Sequence, residues 1–216
     1  GIPLDKVSTS MTVNLTASIL LAMYIAVGEK QGVTQEQLRP IPQNDILKEF
    51  LSRGTQIFPP RPSMKLAVDI IEYCAQNVPR ADPISICGYH MGEAGANSVQ
   101  EVAYCFSNAT CYVEEVLKRG IPVDNFAPRL SFLIHCGMDM LEEVAKFRAA
   151  RKVWAKIMKE RFQAQDPRSM TFRVVSGCEA YKWTVPEPLN NIVRGTICAL
   201  SGVMGGANSL HIASYD

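Results

Sequence analysis

A parallel α/β fold is predicted by three observations. Short apolar runs of strand length recur about every 35–45 residues along the chain, each followed by a helical pattern, the rhythm of parallel strands joined by crossovers. The run Ile84 to Cys87 is small or apolar throughout, as in a strand buried on both faces. Chemistry-bearing residues sit just past the strand ends, where parallel sheets hold ligands. An open doubly wound sheet and part of an eight-stranded barrel fit this rhythm equally well.

The elements follow in order. Residues 7–13 alternate apolar residues with Ser and Thr, a strand signal. Asn14 and Thr16 offer caps for a helix over 17–31, closed by Gly32. Thr34 and Gln37 have capping-box spacing. Residues 41–43 predict a brief strand, weakened by Pro40 and Pro42. Asn44 is expected to cap a helix over 45–53 that Gly54 ends. Residues 58–62 read as a stiff polyproline connector, and Ser63 as the cap of a helix to 76. After the strand at 84–87, Ser98 and Glu101 predict a boxed helix to 119. A strand over 129–135, a long helix over 139–162, a strand over 170–175, a helix over 189–201 and a strand over 209–213 complete six strands. The Gly-rich segment 202–208 precedes a strand and opens no helix, so it reads as a helix-to-strand turn and not a phosphate cradle.

The formal net charge is +1, which gives no basic footprint for nucleic acid or an anionic membrane. The most apolar run, 17–27, is too short to cross a bilayer, and no signal peptide is visible. Seven cysteines, an odd number without metal-type pairing, fit a reducing compartment: cytoplasmic, or the mitochondrial matrix in a eukaryote. The chain starts close to one strand and stops just after another, and is expected to be a segment of a longer polypeptide.

Three histidines are present, His90, His135 and His211. Each falls at or near a predicted strand end, which points to one shared mouth. For any one of them a satisfied structural role is the competing reading. Tyr89 and Glu93 flank His90. The His90–Glu93 spacing would suit a metal, and His135, His211 or Cys136 would complete a zinc-like shell. Without an HExxH motif no metal site is assigned. No GxSxG, Walker A or GxGxxG motif occurs. Arg53 closes a helix, where a cation complements the dipole. Beside a site, its guanidinium would clamp a carboxylate. Arg129, Arg168 and Arg173 lie near strand ends or the loops that feed them and would suit an anionic ligand, with solvated surface charge as the default.

Several stretches together resemble one family: residues 43–49 (QNDILKE), 57–60 (IFPP), 88–91 (GYHM) with 93–96 (EAGA), 126–132 (FAPRLSF), 143–151 with Trp154 and Ala155, 190–194 (NNIVR) and 209–211 (SLH). They are similar, in order and over essentially the whole chain, to the large catalytic chain of methylmalonyl-CoA mutase and its acyl-CoA mutase relatives. The resemblance implies a TIM-type (β/α)8 barrel threaded by coenzyme A. This chain is then an incomplete segment of about six β/α units spanning residues 1–216, with the first strands upstream and the cobalamin-binding domain or subunit elsewhere.

The implied activity is an adenosylcobalamin-dependent radical isomerisation of an acyl-CoA thioester, in the first place methylmalonyl-CoA to succinyl-CoA. The alternatives are isobutyryl-, ethylmalonyl- or 2-hydroxyisobutyryl-type substrates, or a non-catalytic mutase-like subunit. The resemblance implies that His90 bonds the thioester carbonyl and that Tyr89 stands beside the reacting carbons and the adenosyl group. Gln43 would contact the acyl part, Arg53 the substrate's free carboxylate, and Glu93 the adenosyl group. Ser10, Thr12, Arg129, Ser131, Arg168, Arg173 and Ser209 would line the acyl-CoA path. A dimeric assembly is expected, and the isolated segment is expected to be inactive. The chain departs from the family pattern at 40–42, at Gly92, at 175–181 and in the stretch 210–214.

Overall fold

The computed structural model describes residues 1–215. Its six strands are β1 (Thr9–Met11), β2 (Pro40–Pro42), β3 (Ser85–Cys87), β4 (Ser131–Cys136), β5 (Val174–Cys178) and β6 (Ser209–His211). β1 pairs with β2, and β3-β4-β5-β6 form a second ladder; every pairing is parallel. Pro40 and Pro42 carry no N–H, so β2 gives β3 no ladder donors from those positions. Two bonds bridge the gap instead: Ser85 N donates to Gln43 O at 2.9 Å and Asp82 N to Pro40 O at 3.1 Å. The strands therefore stand side by side in chain order, an arrangement consistent with a partial α/β barrel.

The crossovers carry helices α1 (Ala17–Lys30), α2 (Pro60–Asn77), α3 (Tyr89–Glu93), α4 (Ser98–Leu117), α5 (Met140–Lys156) and α6 (Asn190–Gly205). Strand alternation divides the two faces of the sheet. On β4, Phe132, Ile134 and Cys136 are fully buried, while Ser131 and Leu133 face a cleft on the other side. Phe132 joins Phe106 of α4, Trp154 of α5 and Phe172 in an aromatic cluster. Its closest ring pair, Phe132–Phe172, is 4.6 Å apart between centroids. Burying each such side chain stabilises the fold by about 1.5–3 kcal/mol. This layer fixes the outer face of β4 and leaves its inner face free for chemistry.

Several local expectations are corrected. Asn44 is no helix cap: it sits at φ 52° and donates to Ala67 O and Pro83 O, both at 3.0 Å. The segment after it forms a π-helical turn, Glu49–Arg53, before Gly54. Asn14 leaves α1 uncapped and serves the site instead. α2 begins at Pro60, inside the supposed polyproline connector, because proline suits a first helical turn. Asn97 with Gln100, not Ser98 with Glu101, makes the capping box of α4. A short helix, α3, follows β3 directly and carries Tyr89, His90 and Glu93. β5 starts four residues later than expected, because residues 167–170 form a 3₁₀ turn. α6 runs on through Gly205, four residues past the expected end at 201; Gly206 then ends it at φ 78°, and only the rest of the 202–208 segment is the helix-to-strand turn. No helix among the described residues is long and apolar enough to cross a membrane.

Candidate active site

The inner face of the strands borders a cleft of about 450 Å³ lined by Ser10, Thr12, Ile41, Gln43, Ser85, Ser131, Leu133, Arg173, Val175, Ser209 and His211, among others. Five of these carry hydroxyls. Barrel interiors filled only for stability are dominated by bulky branched residues; this wall keeps a path open along the strands. A larger groove of about 970 Å³ lies outside, between α4 and α5. It holds none of the strand-end residues on which a parallel sheet builds its chemistry.

At the carboxyl ends of β2 and β3 the polar residues form one connected rim. Asn14 donates to Gln43 Oε1 at 3.1 Å and to Glu49 Oε1 at 2.5 Å. The same Glu49 oxygen meets the buried Lys48 Nζ at 2.6 Å and Arg53 at 3.7 Å, and Thr55 donates to its other oxygen. Burial opposes the Glu49 charge, but the bonds from Lys48 and Thr55 and the two cations hold the carboxyl below its usual range. His90 shares this field. Burial first, then the charges of Lys48 and Arg53, bring its pKa down to about 4, so the imidazole is neutral at pH 7. Its buried Nδ1 has no partner within the protein.

Tyr89 stands edge-on to His90, ring centroids 5.3 Å apart. Its hydroxyl donates to Cys178 O at 3.2 Å. Burial and the neighbouring Glu93 carboxylate push its phenol pKa up. Gln43, Arg53, Tyr89 and His90 thus share one mouth. The other two histidines belong to it as well: His135 pairs in register with Gly177, and Gly177 with His211. His135 is buried, with burial and the charges of Lys146 and Lys182 holding its pKa down to about 3. It lies 3.9 Å from Glu143 and 3.6 Å from Glu179. A side chain at position 92 would meet His135 Cβ at 3.0 Å, so Gly92 leaves the room that the imidazole uses. Beneath it, Lys146 binds Glu101 at 2.9 Å, Glu143 at 2.7 Å and His135 O at 2.8 Å.

The opposite end of the cleft is cationic. Arg173 grips Asp82 with two bonds of 2.9 and 2.7 Å, and Arg129 lies 3.8 Å from the same carboxylate. Arg168 does not reach the cleft. It is exposed, turns back on Asp166, and shares a separate pocket of about 190 Å³ with Arg129 and Asp124. Among the described residues, no group of three or more His, Cys, Asp or Glu side chains has metal-site geometry.

Sequence reasoning missed the residues that hold the rim together, Asn14, Asp45, Lys48, Glu49, Glu143 and Glu179, and at the opposite end Asp82. Asp45, Lys48 and Glu49 fall inside the 43–49 stretch, which was a usable signal. Asp82 lies just before the start of β3, with nothing in its neighbourhood to mark it.

Fold and site together define a parallel α/β protein whose inner cleft has a cationic end and meets, through Gln43, a rim that carries Tyr89 and His90. The family described as Methylmalonyl-CoA mutase matches residues 1–216. The chain is 48% identical to "Methylmalonyl-CoA mutase" of Escherichia coli (strain K12), covering 100% of this chain and 30% of that protein. It is 49% identical to "2-hydroxyisobutanoyl-CoA mutase large subunit" of Aquincola tertiaricarbonis (100% and 38%). Against "Methylmalonyl-CoA mutase, mitochondrial" of Homo sapiens it is 47% identical (100% and 29%). This chain belongs to the methylmalonyl-CoA mutase family. It spans about a third of the length of these relatives.

Proposed function

We propose that this chain forms most of the acyl-CoA channel of an adenosylcobalamin-dependent carbon-skeleton mutase, acting in the first place on methylmalonyl-CoA. The observation that carries the reading is the hydroxyl-lined cleft with Arg173 at one end and Gln43 at the other, where Asn14 links it to a rim that holds the neutral, unpartnered His90 imidazole. Two further strands would close the six into a (β/α)8 barrel, and a cobalamin-binding domain or subunit would cover the Tyr-His rim in a dimeric assembly.

In this reading Arg173 and Arg129 attract the phosphates of coenzyme A, and Ser10, Thr12, Ser131 and Ser209 line the path of its arm. His90 donates to the thioester carbonyl, which gains charge as the acyl group migrates; a preorganised neutral donor in a dry site suits that charge. Gln43 orients the acyl part, and Arg53 pairs with a free carboxylate. The donor set fits adenosylcobalamin, because hydrogen-bonding groups surround the mouth and His90 is uncharged, so no strong acid or base is offered. Tyr89 and Glu93 would face the adenosyl group. When bound, the cofactor supplies a carbon radical from its cobalt–carbon bond. The protein's part is to hold the thioester and exclude water.

The test is turnover of (R)-methylmalonyl-CoA and isobutyryl-CoA by the full polypeptide with its cobalamin-binding partner, for the natural sequence, Arg53→Gln and His90→Ala. Arg53→Gln is expected to weaken the carboxylated substrate selectively; equal loss on both substrates removes Arg53 from that role. His90→Ala is expected to cost about 3–4 kcal/mol of barrier. Val175 and Gly177 give β5 no polar side chain at these two positions of the wall, which favours a second reading as a non-catalytic mutase-like subunit. Acyl-CoA binding without product, and without any change in the cofactor's visible spectrum, would select it.

A further inference from the structure

The ring of Tyr89 stands directly over Gly177. A side-chain carbon on Gly177 would lie 2.6 Å from Tyr89 Cδ2 and 2.8 Å from Cε2, well inside contact distance. The backbone itself does not demand glycine, since Gly177 is absent from the positive-φ positions of the chain and lies in regular β5, paired on both sides. Of the atoms nearest that carbon only those of the Tyr89 ring are too close, Leu133 Cδ1 following at an ordinary 3.4 Å. The next residue of the strand, Cys178, accepts the Tyr89 hydroxyl through its backbone oxygen at 3.2 Å. β5 therefore holds the ring and the hydroxyl at two adjacent positions. α3, which carries Tyr89, has five residues and no side-chain bond at its start, so it fixes the ring weakly.

We propose that Gly177 is a positioning residue for Tyr89. Its missing side chain is the slot that seats the phenol ring beside His90 and so sets the wall that the reacting group meets. The inference rests on the mutase reading, in which Tyr89 borders that group. A Cβ at 177 moves the ring off the sheet, lengthens the bond to Cys178 O and narrows the mouth. The cationic end of the channel, with Arg173 and Arg129, is left as it was.

Gly177→Ala, Tyr89→Ala and the double variant are made in the full polypeptide. For Gly177→Ala in the assembled enzyme, kcat is expected to fall at least about tenfold while KM for acyl-CoA stays within about twofold. The near-UV tyrosine circular dichroism should change. Thermal unfolding of the three variants is measured alongside, in a cycle that needs no cofactor. Gly177→Ala is expected to lower the midpoint when Tyr89 is present and to leave it unchanged in the Tyr89→Ala background. Should Gly177→Ala fail to fold, recovery of folding in the double variant supports the slot, and continued failure overturns it. An equal loss of midpoint in both backgrounds, or a raised KM with unchanged kcat, also overturns it. Absence of turnover in the natural sequence counts against the mutase reading alone, because the unfolding cycle and the tyrosine spectrum still decide the slot.

Discussion

Asp45 and Tyr112, 67 positions apart, meet at 2.7 Å in the buried interior, where the tyrosine hydroxyl donates to Asp45 Oδ1. The other Asp45 oxygen accepts from Cys87 N at 2.8 Å, and Asp45 N donates to Asn14 Oδ1 at 3.0 Å. One side chain thus ties the segment that leads to Arg53 to the strand end that leads to Tyr89 and His90. Burial pushes the Asp45 pKa up against these bonds.

Tyr112→Phe removes the hydroxyl that also accepts from Leu47 N at 2.9 Å. Two buried polar groups lose their partner, so stability should fall by about 1–3 kcal/mol. Urea denaturation checks this, and acyl-CoA affinity should fall with it as the rim loosens. Unchanged stability would show that Asp45 does not depend on this bond.

Lys146→Met leaves Glu101 and Glu143 buried without their shared cation. Breaking one side of such a buried set costs about 3–5 kcal/mol. Adding Glu101→Gln and Glu143→Gln should return part of that loss in the same denaturation assay, since the uncompensated charges are then gone.

His90 is neutral in the folded state down to about pH 4, against an ordinary value of 6.5. The unfolded chain therefore binds more protons between those pH values, and stability falls as pH drops through that window. Above pH 6.5 the contribution is fully present. A His90→Gln variant should show a flatter decline of the thermal midpoint between pH 6.5 and pH 4; an identical profile would move the acid sensitivity to other groups.

Asp82 holds Arg173 with two bonds at the mouth of the cationic end. Arg173→Ala should weaken acyl-CoA binding and the fold together. Asp82→Asn should cost stability, by roughly 1–3 kcal/mol, while leaving affinity equal or higher, since the guanidinium is released toward phosphate. Calorimetric titration with coenzyme A separates the two.

The strand-and-helix rhythm was legible because it depends on local apolar periodicity and on breakers such as Gly54 and Gly206. Tyr89 and His90 were legible because they follow a buried strand directly. Polar residues near helix starts were misread. Asn14 and Asn44 have the right chemistry for caps, and nothing local says that their amides reach Glu49, Ala67 or Pro83 instead. Arg168 was placed with the channel arginines, yet Asp166 two residues before it captures its guanidinium at the surface.

By itself, then, the sequence determined the class of fold, the order of its elements and the strand end where chemistry gathers, because these follow from periodicities of a few residues and from motifs along one stretch. Only the tertiary structure decided which side of each strand faces the channel and which carboxylate each arginine meets. It also placed Tyr89 in the space left by Gly177. Those outcomes depend on contacts between residues tens of positions apart, whose energies are set by distance and burial in three dimensions and leave no mark on the neighbouring sequence.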